Sequence, residues 1–259
     1  EKLLLKPNLL VADPPERAVT CHPEVLRAVT NVVQSVSQHV AYGDSPGIGS
    51  PKSQSRKAGY ADIAEELGLE LADFNNGKTV DFHDSPFTKK FTIANGVLAA
   101  DALVTLPKLK THGLTRFTGA VKNQLGCVPG FNKAEWHVKI PNGHEFGKML
   151  VALNLLLKPR LCIMDGIWAM QGNGPRGGSR KAMKVLLFST DPVAIDATAC
   201  RLIDLDPKFV PTMQPGQDWG LGVYEQDSIE LVGEPLPALI QSDFDVKREP
   251  VADVTYRDG

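Results

Sequence analysis

The densest chemistry in this sequence lies in one block, Pro107-Lys108-Leu109-Lys110-Thr111-His112-Gly113, followed by Gly119-Ala120-Val121-Lys122-Asn123 and Gly126. His112 can move a proton near neutral pH, and a lysine crowded by other cations has a lowered pKa that suits a base or nucleophile. His112 and Lys122 are therefore the catalytic candidates. Lys108, Lys110, Thr111 and Asn123 are candidates for holding an anion, with Lys6 and Asn8 from Lys6-Pro7-Asn8 near the start of the chain.

Smaller clusters add to this set. Asp44-Ser45 within Gly43-Asp44-Ser45-Pro46-Gly47 is either a ligand-facing loop or a plain turn. Gly172-Asn173-Gly174-Pro175 follows Asp165 and precedes a basic triplet; Gly172 and Gly174 are read as a flap over a ligand or as an ordinary connection. Its spacing fits neither a phosphate-cradling Walker loop nor a dinucleotide fingerprint. Asp165 and Asp196 are the metal candidates. Asp191, in Thr190-Asp191-Pro192, has the composition of a helix cap, and Thr20 and His22 divide between capping and site duty. Trp136, His137 and Trp168 read as packing residues, with Trp168 also able to flank a planar ligand.

Acidic residues are missing from two windows. Residues 102–134 contain none of the chain's 30 acids yet carry Lys108, Lys110, Arg116, Lys122 and Lys133; residues 166–190 contain none and carry Arg176, Arg180, Lys181 and Lys184. The functional expectation is local positive potential for an anion, and the bland one is two solvated basic faces.

Something must bring these residues together. Five short apolar runs end in the polar clusters at residues 6–8, 43–47, 107–112, 165–166 and 189–192. Parallel strands would put those tips on one rim, because ligands bind outside the carboxyl ends of the strands in an open α/β sheet. The expected class is α/β, with a mostly parallel or mixed sheet flanked by helices and motifs at the strand carboxyl ends. Helices are expected at 23–36 with Val25, Ala28, Val29, Val32, Val33 and Val36 inward, and at 54–67, 114–125, 145–157 and 192–203. Segment 126–143 reads as irregular. The chain is expected to form a single domain over 1–259, or two packed lobes with a break near 126–144.

Composition bounds the rest. The 259 residues are 42% hydrophobic and 22% charged with net charge −2, so nothing global points to nucleic acid or membrane. Cys21, Cys127, Cys162 and Cys200 show no paired spacing, which suits reduced residues of a cytoplasmic protein rather than a cluster or metal site. The opening on Glu1 and the terminal Asp258-Gly259 are read as those of an excised piece.

In order, the blocks at Lys6-Pro7-Asn8, Thr20-Cys21-His22-Pro23, Gly43–Gly47, Pro107–Gly113, Gly119–Asn123, Met164-Asp165-Gly166 with Gly172–Pro175, and Ser189–Pro192 resemble the family catalogued as domain of unknown function 362. That resemblance covers nearly the whole chain. It implies an association with iron–sulfur proteins, since members often carry a following ferredoxin-like domain with cysteine clusters; no such domain is visible here. A 4Fe-4S cluster is thus expected only in a parent protein, with a ferredoxin-like domain or iron–sulfur protein as partner. A fainter similarity, in the Lys-Thr-His and Gly-x-x-Lys-Asn blocks, is to lactate racemase-like proteins. The resulting expectation is an enzyme domain that binds a small anionic substrate or a phosphate-bearing cofactor in a basic crevice, linked to redox chemistry. The alternative is a non-enzymatic docking or assembly module for an iron–sulfur protein.

Overall fold

The computed structural model describes residues 1–130, 132–140 and 142–251. Strand β1 (Lys2–Pro7) leads to helix α1 (Pro23–Val33) and strand β2 (His39–Tyr42), then to helices α2 (Pro51–Lys57) and α3 (Tyr60–Leu67) and the short β3 (Glu70–Leu71). A separate hairpin of β4 (Gly77–Asp81) and β5 (Lys90–Ala94) is followed by a single turn of helix, α4 (Asn95–Leu98), and strand β6 (Ala102–Leu106). Next come β7 (Lys108–His112), β8 (Arg116–Phe117), and helices α5 (Gly119–Asn123), α6 (Asn132–Lys139) and α7 (Gly143–Leu157). Two long strands, β9 (Leu161–Gln171) and β10 (Ser179–Ser189), precede α8 (Pro192–Leu202) and α9 (Met213–Asp218).

Strands β3, β2, β1, β6 and β9 lie side by side, all parallel. Beyond Pro107, β7 takes over from β6 as a parallel neighbour of β9: Thr105 pairs with Cys162, the Asp165 amide donates to the Pro107 carbonyl, and Lys108 pairs with Asp165. The proline removes one donor and interrupts the strand without ending the pairing. β10 returns antiparallel along β9. The result is a mixed, mostly parallel sheet flanked by helices, which is the α/β architecture expected.

Leu4 and Leu5 show how the sheet is buried on both faces. Both are fully buried, Leu5 in the cluster with α1 residues Val25, Leu26 and Val29, and Leu4 in the cluster with Phe74 and Cys127. The largest cluster, around Phe117, Phe146, Leu150 and Ile195, packs α5, α7 and α8 together.

Several local expectations are corrected. The first helix ends at Val33, leaving Val32 and Val36 exposed, and Ala28 also faces solvent. The helix expected over 54–67 is two, broken where Gly59 takes a left-handed conformation. The helix expected over 114–125 is a hairpin and a five-residue helix, because β7 runs on through the supposed turn to His112. Within the segment read as irregular lies α6.

One of the five tips leaves the predicted rim, and another stays level with it but inside a strand. Asp165 sits within β9 rather than after it. Ser189, at the end of antiparallel β10, pairs with Cys162 near the start of β9, so Asp191 lies at the opposite edge of the sheet. There Asp191 caps α8, accepting from Val193 and Ala194 at 2.7 and 2.8 Å.

Candidate functional site

Strand alternation carries polar groups past the apolar runs. On one face Leu4 is followed by Lys6; on the other Leu106 is followed by Lys108 and Lys110. All three lysines are almost fully buried, so each needs a built partner. Lys6 Nζ lies 2.8 Å from Asp44 Oδ1 and donates to Asn123 Oδ1 at 3.1 Å. Lys108 Nζ lies 2.7 Å from Asp165 Oδ2. Lys110 Nζ donates to Asn8 Oδ1 at 2.7 Å and to the Val19 carbonyl at 2.6 Å.

Asn8 and Asn123 join these pairs into a network. Asn8 Nδ2 donates to Asn123 Oδ1 at 3.1 Å, and Asn123 Nδ2 donates to Thr105 Oγ1 at 2.7 Å. Asp44 Oδ2 accepts the Leu9 amide at 2.8 Å. Space is tight: a Cβ at Gly126 would fall 1.8 Å from Asp44 Oδ1 and 2.7 Å from Lys6 Nζ, so only glycine fits beside this ion pair.

Above the network opens a cleft of about 640 Å³. Of the predicted residues, Asn8, Asp44, Ser45, Lys110, His112, Lys122 and Asn123 line it. Lys133 lines it too; the sequence counted that residue in the acid-free window but gave it no site role. Its Nζ donates to the carbonyls of Ser45 and Pro46, the latter at 2.9 Å, which holds the 43–47 loop against the cleft. Thr118 is a second lining residue that sequence reasoning missed; only its place after β8 could have drawn attention to it.

Lys122 differs from the other lysines. Half-buried on α5, its ammonium has no hydrogen-bond or ion-pair partner among the described residues. Burial, then the charges of Lys133 and Lys6, lower its pKa to about 8. Lys133 is lowered to about 8 as well, mainly by burial. Lys110 is pushed well below the ordinary lysine range, by burial first and then by Lys122 and Lys108. Since Asp44 is already matched to Lys6, it does not answer the charge of Lys122. His112 Nδ1 accepts the amides of Leu114 and Thr115 at 3.1 and 3.4 Å, which assigns the proton of a neutral ring to Nε2.

The remaining predicted residues build the site without lining it. Thr111 Oγ1 donates to the Gly172 carbonyl at 2.9 Å and accepts the Gly174 amide at 3.2 Å. A Cβ at Gly174 would meet the Thr111 carbonyl at 2.1 Å. The glycine segment is thus packed on β7, and only Pro175 from it reaches the cleft.

The two carboxylates expected to bind metal are committed elsewhere. Asp165 takes Lys108 and the amides of His22 and Ile167. Asp196 accepts the Ala120 and Val121 amides at 2.5 and 3.0 Å, holding the start of α5. Burial pushes its carboxyl up to about 8, against those two amides. Among the described residues no group of three or more His, Cys, Asp or Glu side chains is placed to hold a metal ion.

An iron–sulfur cluster does not fit these residues either. The four cysteines are separately buried, and burial raises each thiol, that of Cys127 to about 12. The second basic window is a solvated face: Arg176 pairs with Asp13, Lys181 with Asp243, and the Arg180 guanidinium lies 4.6 Å over Trp168. Trp168 therefore flanks a side chain, not the cleft. Trp136 packs on Phe91, with ring centroids 5.6 Å apart; the His137 side chain lies outside what the structure describes. Of the ambivalent caps, His22 Nδ1 accepts the Glu24 amide at the start of α1.

Among the described residues no helix is long and apolar enough to cross a membrane. A thylakoid-associated protein (sll1697) of Synechocystis sp. is 36% identical over 222 residues, which cover 85% of this chain and 68% of that protein. The lactate racemase apoprotein from Thermoanaerobacterium thermosaccharolyticum superposes with a TM-score of 0.47 at 14% identity, over 63% of this chain and 42% of that one. This chain thus spans less than half of that structure's length, and a likeness at this level carries no argument about activity. The model of one family, described as a domain of unknown function (DUF362), matches residues 3–201. The chain belongs to that family.

Proposed function

We propose that this chain is an enzyme domain binding a small anionic substrate or a phosphate-bearing cofactor in the cleft above Lys6, Asn8 and Lys110. The observation that carries the reading is Lys122, a half-buried ammonium with no partner among the described residues, beside Lys110 and Lys133 in a cleft whose acid is already paired with Lys6. Unpaired buried charge is costly, so such an arrangement persists where a ligand supplies the counter-charge. With its pKa lowered to about 8, Lys122 is mostly charged at pH 7 yet releases its proton more readily than an ordinary lysine, which suits it to hold the anion and to take part in proton transfer. His112, protonated at Nε2, serves as the acid or as a hydrogen-bond donor to the anion.

The proposal places the protein in the cytoplasm, a reading supported by four unpaired cysteines. Any iron–sulfur redox partner would have to bring its own cluster ligands. The test is native mass spectrometry of anaerobically purified protein, followed by titration with pyrophosphate. Retained or added anion should bind wild type, and His112→Ala and Lys122→Ala should each weaken it at least tenfold. Unchanged binding in both variants would put the site elsewhere.

A second reading, as a docking or assembly module for an iron–sulfur protein, is favoured by one feature. Edge strand β10 exposes Leu186 and Phe188, the latter 63% accessible, and Ile167 and Trp168 are exposed further along β9. Phe188→Ser would abolish a complex under this reading and leave anion binding untouched under the first.

A further inference from the structure

Resting on the anion-binding reading above, the shape of the cleft narrows the ligand. A bare phosphate occupies the space of a few water molecules, at about 30 Å³ each. A cleft of about 640 Å³ would stay mostly empty around it. Volumes of this size hold whole organic ligands, gripped by a few polar groups and otherwise by apolar surface.

The lining divides in that way. The β7–α5 segment supplies Lys110, His112, Lys122 and Asn123, and Asn8, Asp44, Ser45 and Lys133 add polar groups from other segments. The apolar lining comes chiefly from Leu10 and from Pro46 and Ile48 in the loop after β2. Leu10 and that loop form one wall, since the Gly47 amide donates to the Leu10 carbonyl at 2.5 Å. Lys133 clips the loop by its carbonyls, which fixes the wall relative to the cations. Ile48 is 66% exposed at this lip. A large aliphatic side chain held on an ordered loop beside a charged cleft offers a surface to the uncharged part of a ligand.

We propose that the ligand is bipartite: a phosphate monoester whose dianionic head meets Lys110, Lys122 and His112 and whose apolar, ring-containing body lies against Leu10, Pro46 and Ile48. The head supplies negative charge to Lys122 and Lys110, and the body fills the space a free anion leaves.

Calorimetric titration separates this from plain anion binding. Probes are inorganic phosphate, glycerol 3-phosphate, phenyl phosphate and flavin mononucleotide, against wild type, Ile48→Ser and, as a control on exposed apolar surface outside the cleft, Ile167→Ser. Burying a ring against the apolar wall should make phenyl phosphate and the flavin nucleotide at least roughly tenfold tighter than phosphate or glycerol 3-phosphate. Ile48→Ser should remove much of that gain, and Ile167→Ser none of it. Equal affinity for all four probes, or a gain insensitive to Ile48→Ser, would overturn the bipartite ligand and leave the anion site standing. Binding of none of them would overturn both.

Discussion

Lys6 and Asp44 meet at 2.8 Å with 0% and 4% of their side chains accessible, although one ends the first strand and the other follows the second. The pair is a consequence of parallel register: Leu5 pairs with Tyr42, so the residues just past each strand arrive at the same level of the sheet. It also sets the charge of the cleft, because it cancels the acid that lines it. Lys122 is left without a counter-charge among the described residues.

Removing one partner of such a pair strands the other in a low-dielectric setting. Lys6→Met should destabilise the fold by about 3–5 kcal/mol in urea denaturation. Lys6→Met/Asp44→Asn should recover a large part of that loss, since it removes both charges. A double variant no better than the single one would mean that the ion pair is not what Lys6 supplies.

The amides of Ala120 and Val121 depend on Asp196. Asp196→Ala should cost about 1–3 kcal/mol for each buried amide left without an acceptor. It should also weaken anion binding by loosening the helix that carries Lys122 and Asn123. Full affinity in a destabilised Asp196→Ala protein would show that α5 does not need this anchor to present Lys122.

Thr111 ties the glycine segment to β7 through two hydrogen bonds. Thr111→Val keeps the bulk and removes both, so amide exchange at residues 172–178 should speed up by about tenfold while β1 and β6 stay protected. Unchanged exchange would assign the packing of that segment to the backbone alone.

The lowered pKa of Lys122 and its counterpart at Lys133 predict a pH dependence with a definite sign. Below about 8 both folded and unfolded chains carry the charge, and the cost of burying it is fully present. Between about 8 and the ordinary lysine value of 10.5 the folded state binds fewer protons, so stability from these groups rises with pH. Lys122→Met should flatten part of that rise. Anion affinity should run the other way, falling as pH passes 8, and binding above pH 8 should take up a proton. Affinity that rises through this range would contradict a charged Lys122 at the site.

Which residues meet at the cleft was more legible in the sequence than the elements that carry them. The tips at Lys6, Asp44 and Lys110 were legible because apolar runs ending in polar turns mark parallel strands. The acid-free window over 102–134 holds Lys110, Lys122 and Lys133, all of which line the cleft. What misled was local. Lys108 to His112 reads as a turn because it is charged, yet it is a buried strand whose lysines find Asp165 and Asn8 only through tertiary contact. Asp165 and Asp196 read as ligands because isolated buried carboxylates need partners; the partners proved to be a lysine and backbone amides. The window at 166–190 is equally free of acids, but its cations pair with Asp13 and Asp243 from distant segments that no local pattern shows.

The most direct test of the account is isothermal titration with pyrophosphate at pH 7 on wild type, Lys122→Met and Lys181→Met. Lys181 belongs to the solvated basic face, paired with Asp243, and controls for loss of a charge in general. One site per chain is expected in wild type and Lys181→Met, and at least tenfold weaker binding in Lys122→Met. Equal affinity in all three proteins, or a loss only in Lys181→Met, would contradict it.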